Sequence, residues 1–295
     1  MLGRQIVSLS EEQIDRVVAV ALEEDIGRGD VTSQLLLPPG LVGKATLLVK
    51  ASGVLAGGEV ARRVFHQVDP LLEVELRVPD GSQVERGDTV GTISGSVAGI
   101  LRAERVALNF LQRLSGIATL TSQYMTEVKG TRAVIVDTRK TTPGLRVLEK
   151  YAVRMGGGQN HRFNLADGIL IKDNHLASLR ALGMGFREAV AKAREKAPPG
   201  LKVEVEVTSL PEAQAAAQAG ADIILLDNMS PAEMKRVVEL LGGRVLLEAS
   251  GGVTLANVRQ VAETGVDIIS VGALTHSPRA LDISLELDPQ TLKLF

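Results

Sequence analysis

The order of apolar and polar positions divides the chain into two unlike stretches. Near the start, Ile14, Val17, Val18 and Ala21 recur at helical spacing and predict an amphipathic helix. The turn-rich segment EEDIGRGDVTS follows. Then come the short runs GKATLLVKASGVLAGG and LLEVELRVPDGSQVERGDTVGTISG, broken by Asp80-Gly81 and Gly87-Asp88. Val and Thr alternating with such turn residues are expected of a small, mostly β unit. From Arg102 to about Val128, the residues Val106, Leu108, Phe110, Leu111, Leu114 and Ile117 fit a long buried helix leading into a second unit.

From about Arg132 the pattern becomes strand, loop, helix, repeated. Strands are expected at 133–138, 167–173, 202–208, 221–228, 244–251 and 266–273, with amphipathic stretches such as FREAVAKAREKA and SPAEMKRVVELLG between them. Near-continuous β-branched runs separated by helices mean parallel strands covered on both faces. About six such units fall short of the eight of a complete (β/α) barrel. The sheet is therefore an incomplete barrel or an open doubly wound sheet; polar residues at nearly every strand end favour the barrel.

Composition narrows the function. Of 295 residues, 45 % are hydrophobic and 23 % charged, as expected of a soluble globular chain. The net charge of -2 argues against coating nucleic acid or an anionic membrane, so any positive site is local. With no Cys, thiolate metal sites, disulfides and Cys nucleophiles are excluded, and with no Trp, stacking platforms for single strands are disfavoured. The start, MLGRQIVSLSEEQIDRVV, carries no expected signal peptide, and no apolar run approaches the ~18 residues of a membrane span.

A barrel of parallel strands keeps its chemistry at the strands' C-terminal ends. There stand Asp137, Thr138, Arg139 and Lys140, then Lys172, Asp173, Asn174 and His175, then Glu204 and Glu206 on one strand face. Asp227 and Asn228 follow, then Glu248, Ser250, Gly251 and Gly252, and finally Gly272. RMGGGQNHR, ahead of the second strand, adds His161 and Arg162. The cations (Arg139, Lys140, Arg162, Lys172) suit a small molecule with several negative charges. The acids (Glu206, Asp227 and Glu248) suit Mg²⁺, sugar hydroxyls or developing positive charge, or else ion pairs with those same cations. Ser250-Gly251-Gly252 is expected to lead into a helix capped by Thr254, a phosphate-binding arrangement, although tight turns need Gly anyway. The GGG at 156–158 is open to the same two readings. The four His have no metal-ligand spacing.

The stretches EEDIGRGDVTS, ERVALNFLQRLSGIAT, DTRKTTPGLR, RMGGGQNHRFNLADGILIKDNH, IILLDN, LEASGG and VDIISVGALTHS resemble the quinolinate phosphoribosyltransferases, in the expected order along nearly the whole chain. The resemblance implies an α/β protein: an N-terminal α/β sandwich domain (1–112, joined by the tail 280–295) and a C-terminal incomplete α/β barrel (113–279). It implies a cytoplasmic homodimer with its site shared between subunits. It also implies that quinolinate, phosphoribosyl pyrophosphate and Mg²⁺ give nicotinate mononucleotide, pyrophosphate and carbon dioxide. By position, Lys140, Lys172, Glu206 and Asp227 would be catalytic. Arg105 from the partner, Thr138, Arg139, His161 and Arg162 would bind substrate. Ser250, Gly251, Gly252, Val271, Gly272 and Ala273 would hold the ribose phosphate, while Glu206 and Asp227 would face the metal, directly or through substrate-bound Mg²⁺.

Two other classes remain. A Schiff-base aldolase or decarboxylase could use Lys172 or Lys140 as its amine, but one phosphate does not need so many cations. VPDGSQVERGDTVGTISG is similar to the hairpin of biotinyl and lipoyl carrier domains, without a lysine at the hairpin tip. Within the family itself, a relative acting on another acid is the third alternative.

Overall fold

The structure, a computed structural model, describes residues 9–294. The expectations for residues 1–8, including part of the segment read as free of a signal peptide, lie outside the described residues, as does Phe295. The first half runs α1 (Glu11–Ile26), α2 (Val31–Leu36), β1 (Leu41–Val49), β2 (Gly53–Val54), α3 (Gly58–Val68), β3 (Glu73–Leu76), β4 (Gln83–Val84), β5 (Thr89–Ser96) and α4 (Val97–Glu127). The second runs β6 (Val134–Val136), α5 (Arg146–Met155), β7 (Ile169–Ile171), α6 (Asp173–Ala181), α7 (Phe186–Lys196), β8 (Val203–Val207), α8 (Leu210–Gln218) and β9 (Ile223–Asp227). It continues through α9 (Pro231–Leu241), β10 (Leu246–Ser250), α10 (Val258–Glu263), β11 (Ile268–Ser270), α11 (Ala273–His276) and β12 (Ile283–Leu294).

Local chemistry accounts for the element starts. Ser10 and Gln13 cap α1 reciprocally, at 3.2 and 3.3 Å, which satisfies two otherwise orphaned N–H groups. Ile14, Val18 and Leu22, one turn apart, then bury the inner stripe of α1. In β1 the burial alternates with the pleat, and antiparallel pairing gives a sheet of order β12-β1-β5-β3. The C-terminal β12 thus returns to edge the first sheet, with Thr46 opposite Glu286.

α4 begins at Val97, five residues earlier than the sequence suggested, because the Ser96 hydroxyl accepts the Gly99 N–H and starts the helix there. It runs 31 residues between the two sheets and buries Ile100, Leu111, Leu114 and Ile117 completely or nearly so. Each such side chain contributes about 2 kcal/mol of apolar transfer.

The second sheet has six parallel strands in the order β6-β11-β10-β9-β8-β7. β6 and β7 lie at opposite ends of that order and do not pair; Gln159 bridges to Val136 along the open seam. The strands are shorter than their sequence runs because the polar ends turn out of the ladder as loops. α6 was not expected: DNHLASLRA follows β7 without a spacer, with His175 Nδ1 accepting the Lys172 N–H at 3.0 Å. Thr254 caps no helix. α10 starts at Val258, and the Thr254 N–H instead donates to Asn257 Oδ1 at 2.8 Å. The GGG is a packing feature: a Cβ on Gly156 would strike the Ala118 carbonyl of α4, and one on Gly158 would meet Thr121 Cγ2 at 2.8 Å. Among the described residues no helix is long and apolar enough to cross a membrane.

Candidate active site

Strand register aligns the inward side chains: Glu206 and Glu248 each pair with Leu225, and Asp227 pairs with Ser250 one inward position further toward the C-terminal mouth. Lys172 follows β7 directly; its Nζ lies 4.0 Å from Glu206 Oε2. Burial and then the nearby Asp227 push the Glu206 carboxyl up, while Lys172 and Lys140 pull it down. Glu206 therefore senses Asp227, Lys172 and Lys140 across the mouth. Lys140 also packs beside Gly272, where an added Cβ would meet its Cδ at 3.2 Å.

The chain bends sharply after β9. Asn228 has φ 52°, a left-handed conformation that Asn tolerates better than most residues. Its N–H donates to the Ser250 carbonyl at 2.9 Å and its Nδ2 to Asp227 Oδ2 at 2.9 Å, which orients the acid. Gly251, at φ 85°, lies so close to the Asn228 side chain that a Cβ would collide with it. Ser250, Gly251 and Gly252 thus form a compact loop at the mouth, as expected. Val271 differs: it is buried and its N–H is spent on the Val136 carbonyl at 3.0 Å, leaving Gly272 and Ala273 at the surface of that turn.

The turn after β6 is braced from three sides. Thr138 Oγ1 accepts the Lys140 N–H at 3.0 Å, and Thr275 Oγ1 donates to the Lys140 carbonyl at 2.8 Å. Arg146 donates to Thr141 Oγ1 at 3.0 Å and to the Phe163 carbonyl at 3.1 Å, tying this turn to the one that carries Arg162. Arg113 of α4 reaches Glu149, Thr142 and the Thr275 carbonyl, at 2.7, 3.1 and 2.7 Å. Sequence reasoning missed Arg113, Arg146 and Glu149. A charge at 113, inside the apolar run LNFLQRLSGIA, was the available signal.

Arg139 and Arg162 act on each other electrostatically. Burial first, and the charge of Arg139 second, lower the Arg162 pKa, and Arg139 Nε is buried without a hydrogen-bond partner. Two guanidiniums within electrostatic reach of each other, one with an unused buried donor, have the chemistry to receive an anion. Beneath them, Asp137 and Lys150 form a fully buried ion pair. Burial pushes Asp137 up and Lys150 down, and their mutual attraction opposes both shifts.

His161 departs from expectation. Rather than presenting a ring nitrogen to the mouth, it directs Nε2 into the barrel, 3.2 Å from Glu204 and 3.3 Å from Glu248, and Nδ1 accepts the Arg162 N–H at 2.8 Å. Arg105 stands exposed on α4, with no ion-pair partner among the described residues. A cavity of about 570 Å³ does not coincide with the mouth. It opens along the seam near the starts of β7 and β8 and meets the expected residues at His161, Arg162 and Glu204. The converging charges, rather than that hollow, mark the site, because a site for charged ligands is defined by its fixed donors.

Comparison with known proteins adds an independent line. The family profile described as quinolinate phosphoribosyl transferase, C-terminal domain, matches residues 117–286, and its N-terminal counterpart matches 30–115. The chain is similar to a probable nicotinate-nucleotide pyrophosphorylase (carboxylating) of Bacillus subtilis, 42 % identical over 264 residues, covering 90 % of each protein. It is 44 % identical over 273 residues to the nicotinate-nucleotide pyrophosphorylase (carboxylating) of Mycobacterium leprae, covering 90 % of this chain and 94 % of that one. The solved structure of the nicotinate-nucleotide pyrophosphorylase from Francisella tularensis superposes with TM-score 0.89 at 38 % identity, over 96 % of this chain and 99 % of that chain.

Proposed function

The chain belongs to the quinolinate phosphoribosyltransferase family, and from that premise we propose that the barrel mouth joins phosphoribosyl pyrophosphate to the ring nitrogen of quinolinate. The reaction releases pyrophosphate and carbon dioxide and leaves nicotinate mononucleotide, a step of NAD biosynthesis. The observation that carries the site reading is that Arg139 and Arg162 lie near enough to act on each other electrostatically, with the buried Arg139 Nε unpartnered, in a barrel whose other strand ends carry the acids Glu206 and Asp227.

The parts divide the work by charge. Arg139 and Arg162 bind the two adjacent carboxylates of the pyridine. Lys140 and Lys172 offset phosphate charge, and the 250–252 loop with Gly272 and Ala273 receives the ribose phosphate. Glu206 and Asp227 face the ribose and stabilise the positive charge that builds as the anomeric bond breaks. The ring nitrogen is itself the nucleophile, so no protein base is assigned. Once that nitrogen is quaternary, the bond to the neighbouring carboxylate breaks, its electron pair is stabilised by the ring, carbon dioxide leaves and a proton takes its place.

Glu206, raised in part by Asp227, belongs to an acid pair whose repulsion a hard divalent cation relieves, so these two residues fit Mg²⁺ directly or through the substrate. When bound, Mg²⁺ supplies charge neutralisation to the departing pyrophosphate. Nothing observed favours the Schiff-base alternative: Lys172 is exposed and beside a carboxylate. A cytoplasmic setting belongs to the same proposal.

Incubation with quinolinate, phosphoribosyl pyrophosphate and Mg²⁺ is expected to yield nicotinate mononucleotide by chromatography, and nicotinate in place of quinolinate to yield none. Product from nicotinate alone would reject the assignment of two arginines to two carboxylates.

The functional unit we propose is a homodimer. The α2 face leaves Val31, Leu35 and Leu36 exposed at 64, 77 and 74 %, and α4 leaves Arg105 without an ion partner among the described residues. A second copy covering that face would bring Arg105 to the opposite mouth. Mixed subunits carrying Arg105→Ala and Lys172→Ala are then expected to recover about a quarter of the wild-type rate, since half of random dimers hold one intact site of two. Inactive mixtures with verified exchange would count against sharing.

A further inference from the structure

Below the mouth lies a polar cluster to which the transfer reaction gives no task. Glu204 on β8 and Glu248 on β10 are 4 % and 1 % exposed and point into the barrel. Buried carboxylates are costly unless something holds them there. His161 Nε2 lies between them, 3.2 and 3.3 Å away. Nδ1 accepts the backbone N–H of Arg162 at 2.8 Å, a contact only a bare Nδ1 makes, so the ring proton sits on Nε2 between the two acids.

The same short turn is gripped from its other side. Asp137 accepts from the His161 N–H at 2.9 Å and from Asn160 Nδ2 at 2.6 Å, while Lys150 donates to the His161 carbonyl at 3.1 Å. Residues 160–162 are therefore held at once by groups from the end of β6, from α5, from β8 and from β10. What the grip carries forward is Arg162, whose guanidinium donates to the Gly168 carbonyl at 3.1 Å and lies within electrostatic reach of Arg139. The charged groups around the imidazole are thus Glu204, Glu248, Arg162, Asp137 and Lys150. Burial acts to lower the imidazole pKa and the two carboxylates act to raise it, but the Arg162 N–H occupies Nδ1, the atom on which an imidazolium would carry its second proton, so the ring stays the Nε2–H tautomer.

We propose that Glu204 and Glu248 are positioning residues for the diacid end of the site: acting through His161, they lock the 160–162 turn and aim Arg162 at the substrate's carboxylates. The proposal rests on the assignment of Arg162 to quinolinate. Without an ionised acceptor the Nε2–H has a weaker partner, the ring can exchange tautomers, and the turn loosens. A misplacement of 1 Å at a binding group costs up to about a hundredfold in rate.

Glu204→Gln, Glu248→Gln and the double variant keep the shape and remove the charge. The KM for quinolinate is expected to rise about tenfold in each single variant, with the KM for phosphoribosyl pyrophosphate within about twofold of wild type. The second readout needs no substrate. The chain has four His, so ¹⁵N-histidine labelling with His161→Asn as the assignment control isolates the His161 ring. Its nitrogens are expected to report bare Nδ1 and protonated Nε2 across about pH 6 to 8, and mixed tautomers in Glu248→Gln.

A wild-type ring that titrates or mixes tautomers over that range would overturn the proposal, as would both KM values rising together. The three donor atoms lie within 4.8 Å of one another, so a divalent cation is the competing occupant. One equivalent of Zn²⁺ bound by wild type and lost in Glu248→Gln would likewise overturn it. The single variants keep the test open if the double variant fails to fold, and the ring signals stand or fall whether or not quinolinate is the substrate.

Discussion

Lys140→Ala is expected to lower kcat by about a thousandfold, the upper range for removing one fixed charge aimed at a transition state. The structure says why the loss is chemical and not structural. The backbone of Lys140 is held by Thr138 Oγ1 and Thr275 Oγ1, both independent of its side chain, which is exposed and rests against Gly272. Truncation therefore leaves the turn in place. What goes is a cation that acts on Glu206 across the mouth, where pyrophosphate charge must be met as it departs. Exposed charges contribute little to stability, so the melting temperature is expected to stay within about two degrees of wild type. Rapid-quench kinetics with scanning calorimetry checks both halves; a kcat within about twofold of wild type removes Lys140 from the chemistry. Lys172→Ala, which removes the cation 4.0 Å from Glu206, is expected to behave the same way.

Lys150→Met is expected to do the reverse, with a large loss of stability and only then a loss of activity. Lys150 and Asp137 are both fully buried, and Met keeps the volume of the stem while deleting the charge. Asp137 is left with the His161 N–H and Asn160 but no cation. Breaking a buried pair from one side costs about 3 to 5 kcal/mol. For a chain of this size that corresponds to a fall in melting temperature of about ten degrees. Adding Asp137→Asn to Lys150→Met removes the stranded carboxylate and is expected to recover part of the loss, which a double-mutant cycle measures. Unchanged melting would mean that the pair is not what holds the turn.

The two experiments separate the residues that sequence patterns reveal from those they hide. Polar residues at strand ends are legible, because a β-branched run such as AVIVDT or IILLDN has no structural use for a charge at its tip. Thr138, Lys140, Lys172, Glu206, Asp227, Ser250 and Gly272 were chosen as candidates that way, and the strand register brings Asp227 and Ser250 to one level. His161, Glu204 and Glu248 looked like members of the same rim. Only the folded barrel shows them turned into its interior, since period-two alternation says which face a strand residue takes and not how deep it lies. Lys150 and Glu149 were invisible, because charges within an amphipathic helix read as solvent-facing until their partners are known.

Local pattern alone determined that this chain makes a small, mostly β unit, a long buried helix and about six parallel strand–helix units, because hydrophobic periodicity is a property of neighbours in sequence. The return of β12 to the first sheet and the open barrel were implied by resemblance and not by local pattern, and tertiary structure alone decided their register, the seam between β6 and β7, and the nearness of Arg139 to Arg162. Such outcomes depend on contacts between residues far apart in the chain. Burial sets their energies, and burial does not exist until the chain has folded.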